Sequence, residues 1–503
     1  MVEPVAAAPA KSKAPSKPLS EAKKLEVQRY GQVVIYRVQG QPMFYYEVPV
    51  PRPSAAEKSV INTVKEAATR LISISPYRIR DAQERRNAYY QKVMEILRAS
   101  PELHIPEHRY AFYADAVVRE MVGYGIIDAL VQDDRLEEIM VIGPQKAVYV
   151  FHRDYDMMLT NIEFYNDNEI QDLISKIARQ IGRRVDIASP LLDARLPDGS
   201  RVNATIPPAS VDGATLTIRK FREDPYSMVD LIKLGTLDAE LAAFFWVCVE
   251  GLGAKPANIL IAGGTGSGKT TTLNILASFV PASERIVSIE DTAELSLPLK
   301  HWIRLEARPP GLEGTGELAM DILTKNSLRM RPDRIIVGEV RHEEAFSLFT
   351  AMNTGHRGSM GTIHSDSARE TLVRVTSPPM NVPEVMLSAL DLVVVEHRLH
   401  DKRKGTIRRI TEVAEVTGVL DGKTSTQTLF EWDAAADSFR RTPVTSNFLR
   451  ELERFSGLTR KQIEAELKAR AEFLTKLVKE DVRRMPDVAL ACQDFLMAHQ
   501  QDR

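Results

Sequence analysis

The sequence predicts an α/β protein with a parallel sheet whose strand ends form a ligand site. Three runs carry that reading. Asn258-Ile259-Leu260-Ile261-Ala262 leads into Gly263-Gly264-Thr265-Gly266-Ser267-Gly268-Lys269-Thr270, Ile286-Val287-Ser288-Ile289 into Glu290-Asp291, and Ile335-Ile336-Val337 into Gly338-Glu339. In a parallel sheet ligands bind beyond the carboxyl ends of the strands, so the three runs would deliver a glycine-rich loop and two acidic sites to one nucleotide.

The first run ends on a phosphate-binding loop, in which backbone N–H groups and a helix N-terminus cradle phosphate oxygens. Gly263, Gly264, Thr265, Gly266, Ser267, Gly268, Lys269, Thr270 and Thr271 are the expected ATP contacts. Lys269 would reach the β- and γ-phosphates, and Thr270 would hold Mg2+. The helix-type run Thr271-Thr272-Leu273-Asn274-Ile275-Leu276-Ala277 completes the context the motif requires.

The other two runs supply carboxylates. A carboxylate at the end of a neighbouring strand can bind the Mg2+ shell or orient the attacking water. Glu339 makes that offer from one strand, and Glu290 and Asp291 make it from another. Thr270, Glu339 and Asp291 are the candidate metal ligands, and either Glu290 or Glu339 could polarise the water. A further short apolar run, Ser359-Met360-Gly361-Thr362-Ile363, ends on His364 after Thr354-Gly355-His356-Arg357-Gly358.

Length and composition fit such an enzyme. A chain of 503 residues predicts roughly three domains. Its 66 basic and 68 acidic residues nearly cancel, so no whole-protein field points to nucleic acid. Cys248 and Cys492 lie far apart without CxxC spacing, against a disulfide framework or a cysteine-held zinc. The longest strongly apolar stretch, Leu241 to Val249, is about half of what a bilayer span needs. With no apolar signal-peptide core near the N-terminus, the expectation is a cytoplasmic protein that meets the membrane through a partner and does not insert in it.

Four boxes in order resemble the secretion ATPases of type II secretion and type IV pilus systems. They are GGTGSGKTTT at Gly263 to Thr272, IEDTAEL at Ile289 to Leu295, LRMRPDRIIVGEVR at Leu328 to Arg341, and TGHRGSMGTIHS at Thr354 to Ser365. Upstream, Leu136 to Val141 resembles the first strand of the family's N-terminal domain, and Ala194 to Ala204 and Leu216 to Phe221 resemble its arginine segments. The likeness spans about Tyr110 to Val416. His342 stands where the family pattern would have Gly. The four-cysteine zinc insertion of many bacterial members is absent, which favours the archaeal branch that drives archaella and archaeal pili.

The resemblance implies a RecA-like P-loop NTPase core, a preceding α/β sensor-like (PAS-like) domain, and helical N- and C-terminal additions. It also implies a homohexamer that powers assembly of a pilus-like filament through a polytopic membrane platform protein, working at the inner face of the cytoplasmic membrane. Arg195, Arg201 and Arg219 match the family's candidates for stabilising phosphoryl charge from another domain or subunit, and His364 would sense or position the γ-phosphate. Arg304, Arg308, Arg329, Arg331 and Arg341 also lie near the boxes and are not ranked by sequence. A nucleotide-gated scaffold and a nucleic-acid translocase are the rival readings.

The expected layout is a disordered basic tail at 1–20, an N-terminal adaptor domain at 21–105, the sensor-like domain at 106–222, a linker at 223–236, the ATPase domain at 237–430 and a helical region at 431–503. Val33 to Tyr36 and Phe44 to Tyr46, split by Gly40-Gln41-Pro42, predict a hairpin, and Ala55 to Ala99 reads as mostly helical. Ile463, Leu467, Leu474 and Val478 recur near helical spacing, which predicts an amphipathic helix packed on a core.

Overall fold

The computed structural model of the chain describes residues 23–50, 53–71, 79, 82–221, 225–308, 315–401, 405–420 and 423–500. The expected tail at 1–20 and Glu223 and Asp224 of the expected linker lie outside them. Two compact units divide the chain, Met1–Phe221 and Arg222–Arg503.

The first unit holds β1 (Lys24–Tyr30), β2 (Val33–Val38), β3 (Phe44–Glu47), α1 (Ala55–Leu71), α2 (Ala82–Ala99), α3 (Tyr110–Met121) and α4 (Asp128–Gln132). It continues with β4 (Leu136–Val141), β5 (Ala147–His152), β6 (Asp156–Glu163), α5 (Asp167–Gln180), β7 (Leu191–Arg195), β8 (Arg201–Thr205) and β9 (Thr215–Arg219). All nine strands form one sheet, ordered β1-β2-β3-β6-β5-β4-β9-β8-β7. On α5, Ile170, Leu173, Ile174 and Ile177 recur at helical spacing and are buried against Ile139, Val150 and Ile218 of the sheet. Asn166 caps α5 by accepting the Glu169 N–H. The helices α1, α2 and α3 bury a separate core around Val64, Val93 and Val117.

The sheet does not break near residue 105. β3 pairs with β6 in parallel, Phe44 opposite Met158 and Tyr46 opposite Thr160, so the N-terminal strands extend the sheet of the segment that follows. Tyr30 and Tyr46 fasten the junction, each hydroxyl donating to Asp133 Oδ2 at 2.7 Å. A three-stranded meander alone leaves an unpaired edge on β3, and β6 satisfies it.

The second unit holds α6 (Met228–Leu234), α7 (Ala239–Glu250), β10 (Ile259–Ala262), α8 (Lys269–Ala277), β11 (Ile286–Glu290), β12 (Trp302–Glu306), α9 (Met320–Ser327), β13 (Arg334–Val340), α10 (Glu344–Asn353), β14 (Met360–Ile363) and α11 (Ala368–Thr376). Then follow β15 (Leu392–Asp401), β16 (Gly405–Leu420), β17 (Lys423–Asp433), β18 (Ser438–Arg441), α12 (Asn447–Ser456), α13 (Arg460–Lys479) and α14 (Met485–Gln500). Its sheet runs β12-β11-β13-β14-β10-β15-β16-β17-β18. The pairings from β12 to β15 are parallel and those from β15 to β18 antiparallel. Helices on both faces of the parallel part make this a RecA-like P-loop core. β10 and β11 are buried along their whole length, which is why they read as mostly apolar runs, with Ser288 the one polar residue before Glu290.

Residues 223–236, expected as a linker, contain α6, which a Ser227–Asp230 capping box starts and Gly235, at φ +71°, ends. The sheet also runs past residue 430, since β17 spans that position and pairs with β18. The apolar run Leu241–Val249 is a core helix: α7 is buried on every side from Leu241 to Glu250, partly by α13. Ile463, Leu467 and Leu474 of α13 are buried in that same core, and Val478 packs against its edge. No helix among the described residues is long and apolar enough to cross a membrane.

Trp246 of α7 joins these layers, stacked on Phe279 at 5.3 Å and within 6.0 Å of the rings of Phe473 and Phe495. Trp246→Ala is expected to destabilise the second unit by about 3–5 kcal/mol. A lower urea midpoint at unchanged slope checks this.

Candidate active site

The glycine-rich loop takes its shape from what lies beneath it. Gly263 has φ +156°, and a Cβ there would fall 2.2 Å from the Glu396 carbonyl oxygen. Gly268 has φ +113°, and a Cβ there would fall 2.4 Å from Glu396 Oε1. Both positions therefore demand glycine. Gly268 is the N-cap of α8 and offers no side-chain cap, so the first N–H groups of α8 remain available to an anion. Thr270 and Thr271 lie partly buried on that first turn.

Lys269 is buried, and its ammonium donates to Gly264 O at 2.8 Å. Burial lowers its pKa, partly opposed by the carboxylates of Glu339, Glu396 and Asp366. The ammonium folds back on the loop it would leave to meet a phosphate.

Glu339 owes its aim to a bulge. β13 and β14 are in register at Val337–Gly361 and again at Val340–Ile363, so Gly338 and Glu339 together oppose Thr362. The Thr362 hydroxyl holds the bulge by donating to Gly338 O at 2.6 Å. Arg341 Nη2 donates to Glu339 Oε2 at 2.6 Å. Burial opposes ionisation of Glu339, yet the Arg341 hydrogen bond and the charges of Arg341, His364 and Lys269 outweigh it and hold the pKa low. His364 Nε2 stands 2.9 Å from Glu339 Oε1. That pair is close but not aligned as a hydrogen bond, and Glu339 Oε1 has no hydrogen-bond partner. Burial, then the charge of Lys269, lowers the His364 pKa, so His364 faces Glu339 mainly as neutral imidazole at neutral pH.

Glu290 sits differently. Its Oε1 accepts the Glu294 and Leu295 N–H groups at 2.8 and 2.9 Å, while Oε2 is buried without a partner. Burial pushes its pKa up to about 7, against the pull of those two backbone bonds. Gly338 makes room for it, since a Cβ there would meet Glu290 Cγ at 2.8 Å. Asp291 is exposed, 3.9 Å from Arg341 Nη1, so Arg341 faces both acidic sites. Of the five unranked arginines, Arg341 contacts Glu339 and Asp291, and the charge of Arg304 pulls on Glu290. Arg304 instead donates to Leu295 O and Arg308 to Gly316 O.

The residues that precede His364 do other work. His356 Nδ1 lies 2.8 Å from Pro332 O, and Arg357 forms a two-pronged pair with Asp391 at 2.7 and 2.9 Å, before β14 begins. In the first unit Arg195 opposes Arg201, and Arg201 opposes Arg219, in one row across β7, β8 and β9. Arg219 Nε is 4.0 Å from Glu138. His342, where the family pattern would have Gly, donates its N–H to Glu344 Oε1 at 2.8 Å and leaves the turn after β13 intact.

Sequence reading missed Glu396 and Arg408. Glu396 follows the apolar run Leu392–Val395 on β15, the same signal that marked Glu290 and Glu339, and Arg408 Nε donates to Gly266 O at 3.0 Å.

The donor set suits Mg2+, which prefers a few hard oxygens beside phosphate. Thr270 offers a hydroxyl, and the unpartnered oxygen of Glu339 lies at the end of β13, two strands from β10 in the sheet.

A family model described as Type II/IV secretion system protein matches residues 120–435. An uncharacterized protein of Methanocaldococcus jannaschii is 33% identical, the match covering 75% of this chain and 75% of that protein. Type IV secretion system protein VirB11 of Bartonella quintana is 28% identical over 54% of this chain and 90% of its own. The crystal structure of the VirB11 ATPase from the Brucella suis type IV secretion system, in complex with sulphate, covers 56% of this chain and 90% of its own at 26% identity and a TM-score of 0.29. With the family model spanning more than half of its length, the chain belongs to the type II/IV secretion system protein family, that of the secretion ATPases.

Proposed function

We propose that this protein hydrolyses ATP as a hexameric motor that drives assembly of a type IV pilus-like filament through a polytopic membrane platform protein. One observation carries the catalytic part: Lys269, Glu339, His364 and Glu290 stand at the carboxyl ends of β10, β13, β14 and β11, beside an open helix N-terminus. The hexamer, the platform protein, the filament and a place at the inner face of the cytoplasmic membrane rest on the resemblance of the four boxes. The Methanocaldococcus relative supports the archaeal branch.

The two carboxylates divide the work. Glu290 has a pKa near 7 and one buried, unpartnered oxygen, the properties of a general base at neutral pH. It takes the proton of the attacking water as the γ-phosphoryl group passes from ADP to that water, giving phosphate. Glu339, held ionised by Arg341, joins Thr270 and Asp291 as the acceptor set for Mg2+. Bound Mg2+ supplies positive charge to the phosphate oxygens. Lys269 neutralises the β- and γ-phosphates, and His364 donates toward the γ-phosphate.

Arg195, Arg201 and Arg219 act on a neighbouring subunit's nucleotide. Arg201→Ala and Glu339→Gln are each expected to be inactive alone, and their mixture to recover part of the activity, because some interfaces pair an intact arginine with an intact carboxylate. Labelled-subunit transfer establishes exchange. Exchange without recovered phosphate release returns the arginines to a role within their own sheet.

A further inference from the structure

The loop is braced from behind by a strand pair that takes no part in the chemistry above. β15 runs parallel to β10 with Val395 opposite Ala262, so Glu396 comes next to Gly263, where the loop begins. The register between β15 and β16 shifts just there, from Val395–Glu412 to Glu396–Ile410. A bulge of this kind re-aims a side chain. The Glu396 side chain enters the protein, 1% exposed, and its Oε2 accepts the Thr272 hydroxyl of α8 at 2.8 Å. Its Oε1 fills the space that a side chain on Gly268 would need. From β16, Arg408 donates to Gly266 O on the other side of the loop, and its Cδ lies 3.3 Å from where a Cβ of Gly268 would stand.

We propose that Glu396 is a positioning residue for nucleotide binding: through Thr272 and Gly268, and together with Arg408 on Gly266, it holds the glycine loop in the shape that presents its N–H groups to phosphate. The inference rests on the nucleotide reading of the loop. It assigns to a buried carboxylate a role that otherwise has no account, since burial of an acid with one hydroxyl partner is unfavourable without a compensating use.

The charge of Glu396 gives this role a signature. The groups that face it are Thr272 and Lys269 from α8 and Arg408 from β16. Burial raises its pKa to about 7 in spite of them. A nucleotide phosphate brings negative charge to the far side of the loop and favours the protonated acid further, so binding takes up a proton at Glu396. Affinity is then highest below about pH 6, where the acid is already neutral, and falls as pH rises through and above about 7. A displacement of one pKa unit corresponds to roughly tenfold in Kd.

Titration of a fluorescent, non-hydrolysable ATP analogue with the full chain, at several pH values from about 6 to about 9, tests this. Wild type is expected to weaken by roughly tenfold or more over that range. Glu396→Gln keeps the shape and an oxygen for Thr272, so it should bind as wild type does at the acidic end and show a pH slope shallower than wild type by about tenfold. Titration of the analogue, and of Glu290 in the same site, is common to both proteins and cancels in the comparison. Glu396→Ala and Thr272→Val should each raise Kd by about tenfold at the acidic end, and Thr272→Val, nearly isosteric, keeps the test valid if Glu396→Ala does not fold. Variants with wild-type Kd, or a Glu396→Gln protein with the wild-type slope, overturn the assignment while wild-type binding keeps the nucleotide reading. Failure of wild type to bind the analogue overturns both.

Discussion

Lys269→Ala is expected to lower ATP turnover by roughly 10²–10³-fold or more while the protein stays folded. The ammonium is the cation of the glycine loop, buried and held on Gly264 O, with the carboxylates of Glu339, Glu396 and Asp366 about it. Removing it leaves those acids and the incoming phosphates with no charge between them, so the penalty falls on nucleotide binding and on the phosphoryl charge of the transition state. The fold bears little of it, because an ammonium desolvated to this degree contributes little net stability. Phosphate release and a circular-dichroism melt on the same sample check both halves. Wild-type turnover in the variant contradicts the site.

The second large effect separates the two glutamates. Glu290→Gln removes the base and should lower turnover by about 10²–10⁴-fold with nucleotide still bound. In wild type the active form of Glu290 is the carboxylate, and burial sets its pKa to about 7. Turnover at saturating ATP should therefore fall as pH drops below about 7, tenfold for each further pH unit. Glu339→Gln also loses activity, but for another reason: it takes the anion from between Arg341, His364 and Lys269 and weakens the Mg2+ acceptor set, so more Mg2+ is needed for the residual rate. The acid limb should persist in that residual rate and vanish in Glu290→Gln. The reverse pattern gives the base to Glu339.

What the sequence reveals here and what it hides follow from how far apart the interacting residues lie. Buried parallel strands are near-continuous apolar runs, so Ile259–Ala262 and Ile286–Ile289 disclose both their own location and the residues at their ends. Glu396 ends an equally clear run, but its meaning depends on β15 lying beside β10, and that strand order is a property of the whole sheet. Arg341 is within reach, since it stands just past the end of β13 and only two residues from its partner Glu339. The pairing of β3 with β6 is not, because a parallel partner over a hundred residues away leaves no local mark. His356 and Arg357 stand near His364 in sequence, yet one bonds the turn before β13 and the other Asp391 ahead of β15. Proximity in a sequence box is therefore no guide to shared chemistry.

Sustained hydrolysis at these strand ends is read from phosphate release by the purified full chain with ATP and Mg2+ present, followed over many turnovers beside Glu290→Gln. One phosphate per ADP formed is expected, with continuing turnover in wild type, an acid limb near pH 7, and nucleotide-bound but nearly silent Glu290→Gln protein. Tight ATP binding by wild type with no more than a single turnover would contradict it and leave the chain a nucleotide-gated scaffold.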